Sequence, residues 1–388
     1  MTDPVPPTHS ASLAPRVVLW GTYDTSKPRM RLLRQGMDLA GLEVLELHQS
    51  VWEDVADKSR IRGGAAKFRR AWRLICAYPS LLRRLLQAPR PDVLLVAYPG
   101  LLDVLVARVA ATWWRIPLMF DVFISLYDTV VLDRRLLRTS SLKARLLRRF
   151  EKFSLRCADC AFMDTAAHAR YVESLFELPD GHLKHVWVGA EAPLFPRLPP
   201  RHRDPDQALT VLFYGQFIPL HGIDTIVEAA RLLQDQPVQW ILIGEGQESP
   251  RIDALLRDQP LPRLRRIDWV AYDRLIDHMS QADVCLGIFG TSQKAASVIP
   301  NKVFQIAAAG RPFITRDSDA IREFVPRSSA GALLIPPGDP LALADAVRSL
   351  LQPKEANAAF PCAPVVGAEV VGLQFRALLE SLLRDRTA

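Results

Sequence analysis

Residues 211–224 read VLFYGQFIPLHGID, and the fold class turns on them. Four apolar, strand-favouring residues, Val211–Tyr214, run into Gly215, and a second glycine at 222 precedes Ile223 and Asp224. Apolar residues at three- and four-residue spacing over Ile223–Leu233 then predict a helix. Strand, glycine turn and helix make one unit of a parallel sheet, in which ligands bind at the carboxyl ends of the strands. Trp240–Ile243 (WILI) is the next strand and ends at Gly244-Glu245-Gly246. Asp268–Val270, Val284–Ile288, Phe313–Thr315 and Ala332–Ile335 continue the series.

The same alternation fills the first half. Val17–Trp20, Glu43–Leu47, Val93–Ala97, Leu118–Phe123 and Cys160–Met163 read as strands, and Met30–Ala40 as a helix that Gly41 terminates. Five prolines between Gly189 and Ala208 mark a hinge. The expected class is α/β, two Rossmann-like domains facing across a cleft. Residues 1–195 form an N-terminal domain, 196–208 a Pro-rich linker, and 209–366 a C-terminal domain. A C-terminal helix, 367–388, is expected to pack back on the first domain.

Composition narrows the classes. The chain has 388 residues, 49% of them hydrophobic and 23% charged, which excludes a disordered or low-complexity protein. No apolar run reaches the roughly 20 residues that span a bilayer. The first fifteen residues lack the basic and apolar regions of a secretory signal. Five cysteines do not suggest a disulfide framework, so a cytoplasmic location is expected, with peripheral attachment to the inner face of the membrane. Cys157 and Cys160 form a lone CxxC, read as two buried thiols, and the histidines show no metal-ligand spacing.

The net charge of +7 is uneven. Residues 1–195 hold 28 Lys and Arg against 20 Asp and Glu, whereas 196–388 hold 21 against 22. Residues 58–90 carry ten basic residues and no acidic one, and 132–152 carry eight against two. Arg and Lys interleaved with Phe68, Trp72 and Tyr78, and with Leu142, Leu146, Phe150 and Phe153, suit an anionic membrane surface. No nucleic acid partner is expected.

Four segments of the second half carry the chemistry in order: 214–224, 243–246, 299–312 (IPNKVFQIAAAGRP) and 334–340 (LIPPGDP). Their order and spacing resemble the nucleotide-sugar domain of GT-B fold glycosyltransferases, specifically the group 1, family 4-like enzymes, over roughly 209–350. The resemblance is weaker but consistent over 16–195. It implies a glycosyltransferase that moves a sugar from a nucleoside diphosphate sugar to a lipid-linked or glycan acceptor in surface polysaccharide or glycolipid synthesis. It further implies a retaining, metal-independent reaction with no cofactor beyond the donor itself.

At its charged positions the chain departs from that pattern. Gln216 stands where the phosphate-binding Arg is expected, His221 where the Lys is expected, and Ser297 and Gln305 replace the two glutamates of the acidic element. Lys302, in the first turn of the helix starting near Pro300, is therefore the expected diphosphate partner, aided by the helix N-terminus. His221 is a supplementary cation or donor. Gly215, Gln216, Gly244, Glu245, Gly246, Ser297, Asn301 and Gln305 make up the expected donor site. On the acceptor side, Gly21, Thr22, Asp24 and Asp128 line the cleft, and Asp121 is the carboxylate expected at the acceptor hydroxyl. Two other readings stand beside this one: a nucleotide-sugar epimerase of the same fold, and a non-catalytic basic nucleotide- or membrane-binding relative.

Overall fold

The computed structural model describes residues 14–51, 64–204, 206–325, 331–351 and 364–387. Its first half is a six-stranded parallel sheet of β1 (Arg16–Gly21), β2 (Glu43–His48), β3 (Val93–Val96), β4 (Leu118–Phe123), β5 (Cys160–Met163) and β6 (Leu183–His185), in the order β2-β1-β3-β4-β5-β6. The connecting helices are α1 (Pro28–Leu39), α2 (Gly64–Gln87), α3 (Asp103–Trp114), α4 (Leu142–Cys157) and α5 (Ala166–Phe176). One π-helical turn, Asp128–Asp133, follows β4.

The second half repeats the plan with β7 (Leu209–Tyr214), β8 (Val238–Ile243), β9 (Leu264–Ile267), β10 (Val284–Leu286), β11 (Phe313–Arg316) and β12 (Ala332–Ile335), in the order β12-β11-β10-β7-β8-β9. Its helices are α6 (Ile223–Leu232), α7 (Ser249–Asp258), α8 (Leu275–Gln281), α9 (Gln293–Ser297), α10 (Asn301–Ala308), α11 (Asp319–Phe324) and α12 (Pro340–Arg348). Every residue of β7 is buried, as continuous apolar runs covered by helices on both faces require. The order reverses between β7 and β10, which puts a crevice outside the carboxyl end of β7.

The last helix, α13 (Ala368–Thr387), lies against α1 of the first domain. A β-carbon on Gly372 would run into the Gly36 carbonyl oxygen, so the two helices meet backbone to backbone. Phe375 is buried edge-on to Phe162, and Arg376 Nη1 donates to the Ala40 carbonyl at 2.8 Å.

One strand expectation differs. The third strand of the second domain is Leu264–Ile267, not Asp268–Val270. Arg265 and Arg266 hid it, because an edge strand needs no apolar alternation on its solvent side. The strand expected before Gly189 is β6, three residues long, with Lys184 and His185 exposed. Cys157 is half-buried rather than buried, while Cys160 and Cys285 are buried, and all three are free thiols.

Candidate active site

The chain leaves β7 at Gly215 with φ +143°, a region that L side chains rarely enter. A β-carbon there would lie 2.8 Å from Lys302 Nζ and 3.2 Å from His221 Cε1. Glycine thus leaves open the space that the Lys302 ammonium borders. The Gly244-Glu245-Gly246 loop stands beside it. A β-carbon on Gly244 would strike the Gly215 carbonyl, and one on Gly246 the Phe217 backbone, so these glycines answer to loop-on-loop contact. Glu245 is exposed, and its carbonyl accepts the Phe217 N–H at 3.1 Å.

Lys302 sits in the first turn of α10 next to the half-buried Asn301. It is 6% exposed, and its Nζ has no hydrogen-bond partner. Burial pushes its pKa well below 10.5. The Phe213 ring face, 3.8 Å from Nζ, favours the charged form and opposes that shift. The unpartnered Nζ of Lys302 thus faces the space that Gly215 leaves open.

The expected second cation is corrected. His221 Nδ1 donates to the Gln216 carbonyl, and the ring is buried. Burial, with Lys302 alongside, holds its pKa well below 6.5, so it is a neutral imidazole whose Nε2 can only accept. Gln216 itself is exposed, and its Oε1 accepts from Arg134 Nη2 of the first domain at 3.4 Å.

Gln305 and Ser297, the two further donor-site expectations, make contacts within the protein. Gln305 is buried with both ends of its amide occupied: Oε1 accepts from Tyr214 at 2.9 Å and Nε2 donates to Tyr272 at 2.8 Å. Tyr272 donates in turn to Glu191 at 2.8 Å, and Glu191 pairs with Arg31 at 2.7 Å. Ser297 directs its hydroxyl back to the Gln293 carbonyl at 2.8 Å, and its own carbonyl accepts from Thr165 Oγ1 across the domains.

The acceptor-side expectations are corrected more strongly. Asp121 is fully buried, and both its oxygens receive Arg29, at 2.9 and 3.0 Å. It therefore stands as an internal ion pair and not as a base at a hydroxyl. The Gly21-Thr22 turn holds a carboxylate of its own. The Thr22 N–H donates to Asp103 Oδ2 at 2.6 Å, and a β-carbon on Gly21 would strike that same oxygen. Asp24 is buried and accepts the Ser26 N–H at 3.0 Å, closing the turn into α1. Asp128 is buried too. Tyr171 donates to it at 2.8 Å, and Lys294 of the second domain lies 3.5 Å away.

Arg29, Arg134 and Lys294 were missed in the sequence. Arg29 finds its partner 92 residues away, and Arg134 lies within the basic segment 132–152. Spacing along the chain carries no sign of either contact.

Two family models match the chain: the glycosyl transferase 4-like domain over residues 16–189 and the glycosyl transferases of group 1 over residues 208–353. The putative colanic acid biosynthesis glycosyl transferase WcaI of Escherichia coli (strain K12) is 26% identical over 106 residues. That match spans 27% of this chain and about a quarter, 26%, of the relative. Among solved structures, sucrose-phosphate synthase of Thermosynechococcus elongatus superposes with a TM-score of 0.63 at 18% identity, over 95% of each chain. Anabaena Alr3699/HepE, solved in complex with UDP-glucose, gives 0.57 at 13% identity, over 96% of this chain and 98% of that one.

Proposed function

This chain belongs to the group 1, family 4-like glycosyl transferases, with their fold of two Rossmann-like domains, and from that premise we propose that it transfers a sugar from a nucleoside diphosphate sugar to a lipid-linked or glycan acceptor. The observation that carries the donor half is Lys302, a buried cation without a hydrogen-bond partner at the carboxyl end of β7. As the donor breaks, the C1–O bond to the diphosphate gives its electron pair to oxygen. Preorganised positive charge stabilises that oxygen. Lys302 and the N-terminal turn of α10 supply the charge from the chain itself, in a metal-independent reaction. A fold neighbour holds UDP-glucose, which makes that compound the first donor to try. The WcaI relative is named for colanic acid biosynthesis, which supports a surface polysaccharide or glycolipid as the product.

The reaction we infer retains the anomeric configuration. The acceptor hydroxyl attacks C1 on the face that the diphosphate leaves, and its proton passes to the departing phosphate oxygen. The engagement of Asp121 with Arg29 supports this route, since the carboxylate expected as a base is already paired. Lys302→Ala should release no nucleoside diphosphate when incubated with donor and lipid-linked acceptor, while wild type turns over. Equal release by the two proteins would remove Lys302 from the site.

The acceptor half rests on α2, α3 and α4, which share one core and cover one face of the first sheet. Their outer surfaces expose Trp72, Ile75, Leu86, Val109, Leu142, Leu146, Phe153 and Trp113, the last at 81%. Arg69, Arg73, Arg83, Arg84, Lys143, Arg145, Arg149 and Arg156 are exposed among them. Lys58, Arg60 and Arg62 lie outside the described residues, as do the side chains of Lys67, Phe68 and Arg70. Asp103 and Glu151 are the acidic residues of these three helices, and both are buried. Exposed carboxylates border this face at Glu177, paired with Arg148 and Lys152, and at Asp159, paired with Arg108. The aromatic, aliphatic and cationic groups in excess of them fit an anionic bilayer. Glu substitution of Arg83, Arg84, Arg145 and Arg149 together should weaken binding to vesicles of about 30% phosphatidylglycerol at least about a hundredfold. Unchanged co-sedimentation would refute the docking face.

A further inference from the structure

The donor crevice on the second domain is short of positive charge. Gln216 is neutral, His221 is held neutral with its proton turned to the Gln216 carbonyl, and Arg266 is held by Asp253 at 3.1 Å and by the Gly244 carbonyl. A nucleoside diphosphate brings two to three negative charges, and one lysine with a helix end balances only part of them.

The missing cation stands on the other domain. The π-helical turn Asp128–Asp133 places Arg134 at its end, where the Arg134 N–H donates to the Thr129 carbonyl at 3.0 Å. Arg135, at φ +51°, then turns the chain away. Two residues of the second domain hold the turn against it. Lys294 of α9 donates to Thr129 Oγ1 and lies 3.5 Å from Asp128, and Gln247 Nε2 donates to the Arg134 carbonyl at 3.0 Å. The backbone of Arg134 is thus pinned beside the Gly244–Gly246 loop, and its guanidinium reaches the Gln216 side chain, one residue from Gly215. Its charge is close enough to help keep His221 neutral. A single π turn adds one residue to a helical path and re-aims the side chains after it, a common device at functional sites.

We propose that Arg134 crosses the cleft to bind the donor diphosphate opposite Lys302, so that the phosphate site is completed by both domains. This rests on the nucleotide-sugar reading above. When the diphosphate enters, phosphate oxygens take the place of the Gln216 amide on the guanidinium, whose planar fork suits them better than a neutral carbonyl. Asp133 continues to interact with Arg134.

The test is calorimetric titration of wild type, Arg134→Ala and Arg134→Lys with UDP, GDP, ADP and dTDP, and with the nucleoside of whichever diphosphate binds. Arg134→Ala should bind that diphosphate about ten- to a hundredfold more weakly, with its nucleoside affinity unchanged within about twofold. Arg134→Lys should recover part of the diphosphate loss, and matching thermal melts exclude misfolding. Three outcomes go against the proposal. Diphosphate affinity unaltered in Arg134→Ala overturns the inference and leaves the nucleotide-sugar reading standing. Equal weakening of nucleoside and diphosphate makes Arg134 a support for the loops and overturns it as well. Wild type that binds none of the four diphosphates overturns the nucleotide-sugar reading, and this inference with it.

Discussion

Lys302 costs the empty protein stability. An ammonium buried without a hydrogen-bond partner loses its hydration, and the Phe213 ring returns only part of it. Lys302→Met should therefore raise stability by about 1–3 kcal/mol at pH 7 in urea denaturation while removing diphosphate binding, the trade expected at a functional site. The folded pKa lies below that of the unfolded chain, so the unfolded state holds the extra proton between the two values and stability climbs with pH across that window. The methionine variant should lose that part of the slope. Glu151 behaves in the opposite sense. Burial pushes its pKa up to about 7, against the N–H groups of Tyr127 and Leu126 that it accepts at 2.6 and 2.9 Å. The folded state then holds the proton, and this contribution to stability is present below about pH 4.5 and is lost as pH rises through about 7. Glu151→Gln should flatten the denaturation midpoint across about pH 5–8 and cost about 1–3 kcal/mol by leaving one N–H without its acceptor. At this scale the sequence is legible where chemistry is local: a glycine after a strand, a lysine in the first turn of a helix. The Arg29–Asp121 pair and the Gln305–Tyr272–Glu191 chain join residues far apart in sequence, and Asp121 was read as a carboxylate for the acceptor hydroxyl without sight of Arg29.

Among the elements, glycines record where backbones touch. Gly36 on α1 and Gly372 on α13 let these helices meet without side chains between them. Gly372→Ala forces a methyl group into the Gly36 carbonyl and should cost about 2–4 kcal/mol, read as a lower denaturation midpoint with the donor site intact. Gly215 and Gly244 do the same for the loops after β7 and β8. The buried strands of both sheets were legible because a parallel strand covered on both faces must be apolar throughout. The edge strand β9 was not, since Arg265 and Arg266 meet solvent or partners outside the sheet. The apolar stripe of α4 was legible as a stripe. Its outward direction was legible too: Leu142, Leu146 and Phe153 are exposed as expected of a surface-facing stripe, and Ala144, Ser154 and Leu155 face the core. Val109 and Trp113 of α3 extend that surface from a segment with no excess of charge to draw notice.

For the whole molecule, the two sheets are tied by contacts that all fall near the cleft. Glu323 of α11 accepts the Ala166 and Ala167 N–H groups at the start of α5, at 3.0 and 2.7 Å, and satisfies that helix end from across the domains. Thr165 reaches the Ser297 carbonyl, Lys294 reaches Thr129, and Arg31 with Glu191 reaches Tyr272. In the reading proposed above, the donor site lies in the second domain and the first closes it, while the exposed basic and apolar residues of α2, α3 and α4 look outward from the first domain. In the proposed reading, the positive excess of the first half serves an outward face for lipid and Arg134 at the cleft. The donor site stands or falls on Lys302 holding the diphosphate of a nucleotide sugar. Calorimetric titration of wild type and Lys302→Ala with UDP-, GDP-, ADP- and dTDP-glucose measures this without reference to the acceptor. One of these donors should bind wild type and lose at least about tenfold in affinity in a variant that melts no lower. Binding of that donor to Lys302→Ala as tightly as to wild type, or of none of the four to wild type, would contradict the assignment.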